Sequence, residues 1–129
     1  MIVVDASVVV HILIEGQKAE KFIDDISVHG AFLAPEIIYL EVLNAIRRHL
    51  NLKKLSAEQA ENAALDLQNF PLTLQPVHHK LQRIWSLHNN ITPYDAAYVF
   101  LAAELGVPLL TRDKKLAQAA ATHTQVILI

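Results

Sequence analysis

The chain has 129 residues, 53% of them hydrophobic, no cysteine and a formal net charge of −2. That length suits a single domain, 1–129, burying one core unaided. The lack of cysteine excludes a disulfide framework, a thiolate zinc site and a thiol nucleophile, and the slightly negative balance excludes holding nucleic acid by bulk positive potential.

The apolar run Ile2–Val4 reads as a buried first strand, interrupted by Asp5. A helix is predicted from about Ser7 to Ile14 and ended by Gly16, then a second from about Lys18 to Val28. Ala31–Leu33 fits a second strand closed by Pro35. From about Glu36 to Leu50, Tyr39, Val42, Leu43, Ile46 and Leu50 recur at helical spacing, with Glu41, Asn44 and Arg48 on another face. Ser56-Ala57-Glu58-Gln59 is a capping-box signature opening a helix to about Asn69. A brief third strand, Leu72–Leu74, and a helix over Val77–His88 follow. Thr92-Pro93 starts a helix that Gly106 ends, Val107–Leu110 is a strand, Lys114–Ala121 a helix and Val126–Ile129 a last strand.

Strands alternating with helices favour a parallel sheet wrapped by helices, whose ligands bind beyond the carboxyl ends of the strands at a switch point. The hydrophobic share, above the usual range, fits such a sheet covered on both faces, with apolar surface left for a partner. No signal-peptide pattern and no apolar run of membrane-spanning length are visible, so a cytoplasmic location is expected, with no membrane partner.

Acidic residues recur where such a sheet would gather them. Asp5 follows the first strand and Asp113 follows the strand Val107–Leu110 by two residues; Asp95 opens the helix after Thr92. Each also has an ordinary reading as a helix cap or part of a capping box. Glu41 has none, since it interrupts an apolar helix between Leu40 and Val42; its alternative is a solvent-facing position, with Asn44 one turn on to bond it or a phosphate. The basic pairs Arg47-Arg48 and Lys53-Lys54, and Arg112 with Lys114-Lys115, read first as solvated faces. The seven histidines, including His78-His79 and His88, show no zinc-ligand spacing. No glycine-rich phosphate loop or G-x-S-x-G elbow occurs, and Ser7 has no evident His and acid partners, which argues against acyl transfer.

Taken in order, V-V-D-A-S (3–7), L-E-V-L-N-A-I (40–46), P-Y-D-A-A-Y-V-F-L-A (93–102) and L-L-T-R-D-K-K-L-A (109–117) resemble the four acidic motifs of the PIN-domain ribonucleases, specifically the VapC-type toxins of toxin–antitoxin pairs. The resemblance covers nearly the whole chain. It implies a three-layer α/β/α fold with a mainly parallel five-stranded sheet, Mg²⁺ or Mn²⁺ dependence, endonucleolytic cleavage of RNA, homodimerisation and inhibition by a cognate VapB-like antitoxin. PIN proteins that process RNA without being toxins share the same acids.

On this reading Asp5, Glu41 and Asp95 hold a first metal, and Asp113 completes that site or holds a second ion. Ser7 and Thr111 position waters, and Asn44 with nearby basic side chains contacts the RNA backbone. A hard cation suits oxygen donors without His or Cys, and it would activate water for in-line attack on the phosphodiester. One rival is a non-catalytic α/β protein whose acids are caps and whose apolar surplus binds a partner. A haloacid-dehalogenase-like phosphatase is a second, disfavoured because Ser7 stands where that family needs another Asp.

Overall fold

The computed structural model describes residues 1–16, 23–24 and 27–129. The helix expected over 18–28 falls largely outside the described residues. Among the described residues five strands form one sheet: β1 Ile2–Val4, β2 Phe32–Pro35, β3 Leu72–Gln75, β4 Leu109–Thr111 and β5 Val126–Leu128. Their order is β3-β2-β1-β4-β5, and every pairing is parallel, so the mainly parallel sheet expected is wholly so. The α-helices with both ends among the described residues are α1 Ala6–Glu15, α2 Ile38–Asn51, α3 Ala57–Leu67, α4 Leu81–Trp85, α5 Pro93–Leu105 and α6 Lys114–Ala120.

The chain steps from β1 outward to β2 and β3, then returns across β1 to β4 and β5. Right-handed crossovers therefore place α1, α2 and α3, which pack on one another, on one face. They place α5, which lies across β1, β2 and β4, on the other, with α6 on β4 and β5. The result is the three-layer α/β/α arrangement. The reversal of direction falls between β1 and β4, and the carboxyl ends of these two strands flank the switch point where such sheets bind ligands.

Burial explains why weak helix formers fold as they do. α1 is rich in β-branched residues, which lose side-chain freedom in a helix, yet Val8, Val9, Val10 and Ile12 are buried against the sheet and α2. α2 buries Ile38, Val42, Ala45 and Ile46 along one stripe, leaving Glu41 at its border. α5 buries every residue from Ala96 to Ala102, as a helix enclosed between the sheet and α4 must. Ser56 and Gln59 form the expected reciprocal capping box at α3.

The helix expected over Val77–His88 is a correction. A 3₁₀ turn, His78–Lys80, leads into the short α4, and His88 lies beyond it, its ring stacked on Trp85. Beyond Trp85 the N–H groups of Leu87 and His88 bond only three residues back, to the Ile84 and Trp85 carbonyls, so the chain leaves the α-helix in tight turns; Lys80 is buried, its ammonium 3.2 Å from the Pro76 carbonyl and from Glu104. Among the described residues no helix is long and apolar enough to cross a membrane.

Candidate active site

The register of the sheet builds the site. Val3 pairs with Leu109 and Val4 with Leu110, so Asp5 emerges beside Thr111, its N–H donating to the Leu110 carbonyl at 3.3 Å. Asp5 is only 5% exposed and Thr111 fully buried, and the Thr111 hydroxyl donates to Asp5 Oδ2 at 2.6 Å. Asp5 Oδ1 accepts the Ser7 hydroxyl at 2.6 Å and the Val8 N–H at 3.2 Å, the latter capping α1. Ser7 Oγ accepts the Arg112 N–H, and Thr111 Oγ1 the Asp113 N–H, both at 3.0 Å. One carboxylate thus clasps residues 5–8 to 111–113 across the switch point. Both hydroxyls expected to position water are turned onto Asp5.

Asp113 caps α6, its Oδ1 accepting from the N–H groups of Lys115 and Leu116. Asp95 stands in the first turn of α5, its N–H held by the Thr92 hydroxyl at 3.1 Å. Glu41 reaches over from the opposite helical layer, its Oε1 accepting the Tyr98 hydroxyl at 2.9 Å. Asp5 and Asp113 are thus caps as well as members of the cluster, while the cap of α5 is Thr92 and Asp95 stands in its first turn.

All four acids line one cleft of about 500 Å³, together with Ser7, Asn44 and Tyr98. Thr111 lies beneath it. Burial, and then the charge of Asp113, raises the Asp5 carboxyl above the usual range against its hydrogen bonds. Glu41 is raised by burial and then by the charges of Asp95 and Asp5; Asp95 by burial and then by Asp113. Tyr98 is also raised, by burial and the neighbouring acids, so it stays a hydroxyl donor. These are the marks of negative charge crowded where water is scarce.

A divalent metal fits this donor set. Among the described residues no three acidic or histidine side chains close into a ready-made cage. Mg²⁺ does not need one, since it keeps several waters and takes one or two carboxylates plus substrate oxygen. The cleft offers carboxylate oxygen without sulfur, and an ion there would relieve the repulsion.

Tyr98 was missed from the sequence. It stands three residues after Asp95 and so on the same side of α5, a spacing that was available, but only the tertiary packing shows that it spans to Glu41. His11, which also lines the cleft, had a comparable signal in its four-residue spacing from Ser7.

Thr111 ties the site together, and replacing it by Val would leave Asp5 Oδ2 and the Asp113 N–H without their partner at unchanged volume. An unsatisfied buried polar group costs about 1–3 kcal/mol. Thr111→Val is therefore expected to lower stability by about 2 kcal/mol in urea unfolding, with Thr111→Ser close to wild type.

Comparison with known proteins identifies the family. The PIN domain family matches residues 2–122. Ribonuclease VapC1 of Mycobacterium tuberculosis is 39% identical over 98 residues, covering 74% of this chain and 73% of the relative. Ribonuclease VapC12 of the same species is 31% identical over 132 residues, covering 100% of this chain and 99% of the relative. Of the solved structures, VapBC2 from Rickettsia felis, bound to a promoter DNA fragment, matches with TM-score 0.68 at 13% identity, over 99% of this chain and 98% of that one. PAE2754 from Pyrobaculum aerophilum matches with TM-score 0.63 at 19% identity, over 97% and 87%. At such identities the structures speak for the fold, and the sequence matches for the family. The chain belongs to the PIN domain family and, within it, to the VapC-type ribonucleases.

Proposed function

We propose that this protein is a Mg²⁺-dependent endoribonuclease, with Mn²⁺ as a possible substitute, acting as the toxin of a type II toxin–antitoxin pair. The observation that carries this reading is the meeting of Asp5, Glu41, Asp95 and Asp113 in one cleft at the sheet's switch point. Asp5, Glu41 and Asp95 would hold a first ion, directly or through its waters, with Asp113 completing that site or holding a second. When bound, the metal would supply water activation and stabilisation of charge developing on the phosphoryl oxygens.

The chain's own residues supply the rest. Ser7 and Thr111 fix the Asp5 carboxylate through their hydroxyls, and Tyr98 fixes Glu41. Burial and mutual repulsion hold the Glu41 and Asp95 carboxyls above their usual range, the charge crowding that a bound cation would offset. Asn44, on the cleft wall one turn beyond Glu41, would contact the RNA backbone.

The relatives are named as VapC ribonucleases, and one neighbour is a toxin–antitoxin complex, which supports a VapB-like antitoxin as partner here. An apolar groove of about 490 Å³ between α2 and α3, lined by Tyr39, Leu43, Ala64 and Leu65, offers such a partner a surface. Homodimerisation belongs to the same proposal.

The test is incubation of total cellular RNA with the purified chain, with Mg²⁺ or with EDTA, and mapping of the ends produced. Discrete internal cuts that need Mg²⁺ are expected. Intact RNA at all divalent-metal concentrations would overturn the enzyme reading and favour a protein that only binds partners.

A further inference from the structure

The cleft is not uniformly acidic. Its wall carries Ser7, His11 and Glu15 from α1 and Glu41, Asn44 and Arg48 from α2, each series recurring every three or four residues. Both helices therefore lead away from the acids along a shared seam, and the four residues from Ser7 to His11 advance about 6 Å along it. Arg112 enters the same cleft from the β4–α6 connection. From this geometry we propose that Arg112 and His11 form a subsite for the phosphate next to the scissile one in a bound RNA strand. The proposal rests on the ribonuclease reading.

Three observations carry it. First, Arg112 is fixed by its backbone: its N–H donates to Ser7 Oγ, and Ser7 in turn donates to Asp5, so its position is tied to the acid cluster through two hydrogen bonds. Second, its side chain is exposed to the cleft, yet among the described residues Arg112 forms no ion pair with any of the four acids; the ion pairs there all involve Glu104. A guanidinium standing aside from four carboxylates keeps its fork of donors for another oxyanion, and phosphate matches that fork. Third, His11 lies within reach of the Arg112 charge. Burial and then that charge hold its imidazole below the ordinary histidine range, against an opposing effect of Glu15. That shift favours the uncharged imidazole at His11, while Arg112 supplies the charge.

A scissile phosphate beside the metal places the adjoining phosphate a short way off, at the distance of roughly one helical turn that separates His11 from Ser7. The acid cluster repels that second phosphate, and the pair offsets the repulsion. Such contacts position the strand without reading sequence.

The test is binding of a labelled single-stranded oligoribonucleotide over a salt series, with metal withheld so that no cleavage intervenes. Each phosphate contact by a cation contributes about 0.7 to the slope of log affinity against log salt for single strands. Arg112→Ala keeps the backbone N–H and is expected to weaken binding about fivefold while lowering the slope magnitude by about 0.7. His11→Ala is expected to weaken binding about twofold with the slope unchanged, as for the loss of a neutral donor. Arg112→Lys retains the slope but only part of the affinity.

Lys54→Ala removes the same charge outside the cleft and is expected to leave the slope unchanged. An Arg112→Ala slope equal to that of wild type, or a loss matched by Lys54→Ala, would overturn the subsite. In steady-state cleavage Arg112→Ala is expected to raise KM with kcat nearly unchanged. A wild-type protein that binds with these slopes but cuts nothing defeats the ribonuclease reading alone. One that cuts RNA, with Arg112→Ala indistinguishable from it in binding and KM, defeats the subsite alone.

Discussion

Glutamine in place of Glu41 is expected to abolish RNA cleavage and, at the same time, to raise the melting temperature of the metal-free protein. The two effects share one cause. Glu41 is half-buried, and burial together with the charges of Asp95 and Asp5 disfavours its ionised form. Gln keeps the side chain's volume and an oxygen to accept the Tyr98 hydroxyl, which Glu41 now binds at 2.9 Å. What it removes is the charge, and with it the repulsion. Relief of about 1 kcal/mol corresponds to a rise of about 3–5 °C for a chain of this size, read by thermal unfolding in EDTA at pH 7. Loss of even an outer partner of a metal ligand typically costs 10–100-fold, so loss of the carboxylate itself is expected to lower cleavage by roughly a hundredfold or more. Such an exchange of stability for activity is the ordinary signature of a functional site. A destabilised Glu41→Gln variant would give this acid a structural role instead, and one cutting RNA at the wild-type rate would remove it from the site.

The parts of the site legible in the sequence are those fixed by local rules. Asp5 and Asp113 were readable as acids at strand ends because a strand followed by a helix needs a cap there, and both do cap. Asp95 was readable through Thr92 and Pro93, which set the start of α5. The pairing of Asp5 with Thr111 was not, because it depends on the register of β1 against β4, and these strands are separated by most of the chain. Glu41 could be singled out as an anomaly in an apolar helix, but its direction needed the packing of α2 against α1 and a hydroxyl from α5, on the opposite face, to meet it. α4 is shorter than its local pattern suggests because the chain beyond Trp85 closes i→i+3 turns, Leu87 N–H to Ile84 and His88 N–H to Trp85. Propensity reports the backbone's own preference, which tertiary context overrides.

Mg²⁺ is expected to raise thermal stability by an amount that grows with pH, and the sign follows from the same carboxylates. Asp5, Glu41 and Asp95 all have folded-state pKa values above the ordinary carboxylate range, with burial as the leading cause. Between that range, near 4, and the raised values, the folded state binds more protons than the unfolded state. Stability then falls as pH rises through this window and levels off above it, opposite to the usual behaviour of paired carboxylates. Glu104, lowered by its His79 and Lys80 partners, and His11, lowered by burial, act in the other sense. The difference between wild type and Glu41→Gln therefore isolates the cluster. A cation competes with protons for these oxygens, so its stabilisation is small in mild acid and full at neutral pH. A site filled at a hundred times its dissociation constant would gain about 2.7 kcal/mol. The measurement is a set of melting curves from pH 5 to 8 with EDTA or millimolar Mg²⁺, for both proteins. A wild-type Mg²⁺ shift that grows toward neutral pH and shrinks in Glu41→Gln supports a shared metal site. A shift that is absent, or independent of both pH and Glu41, would mean that these carboxylates do not hold an ion together.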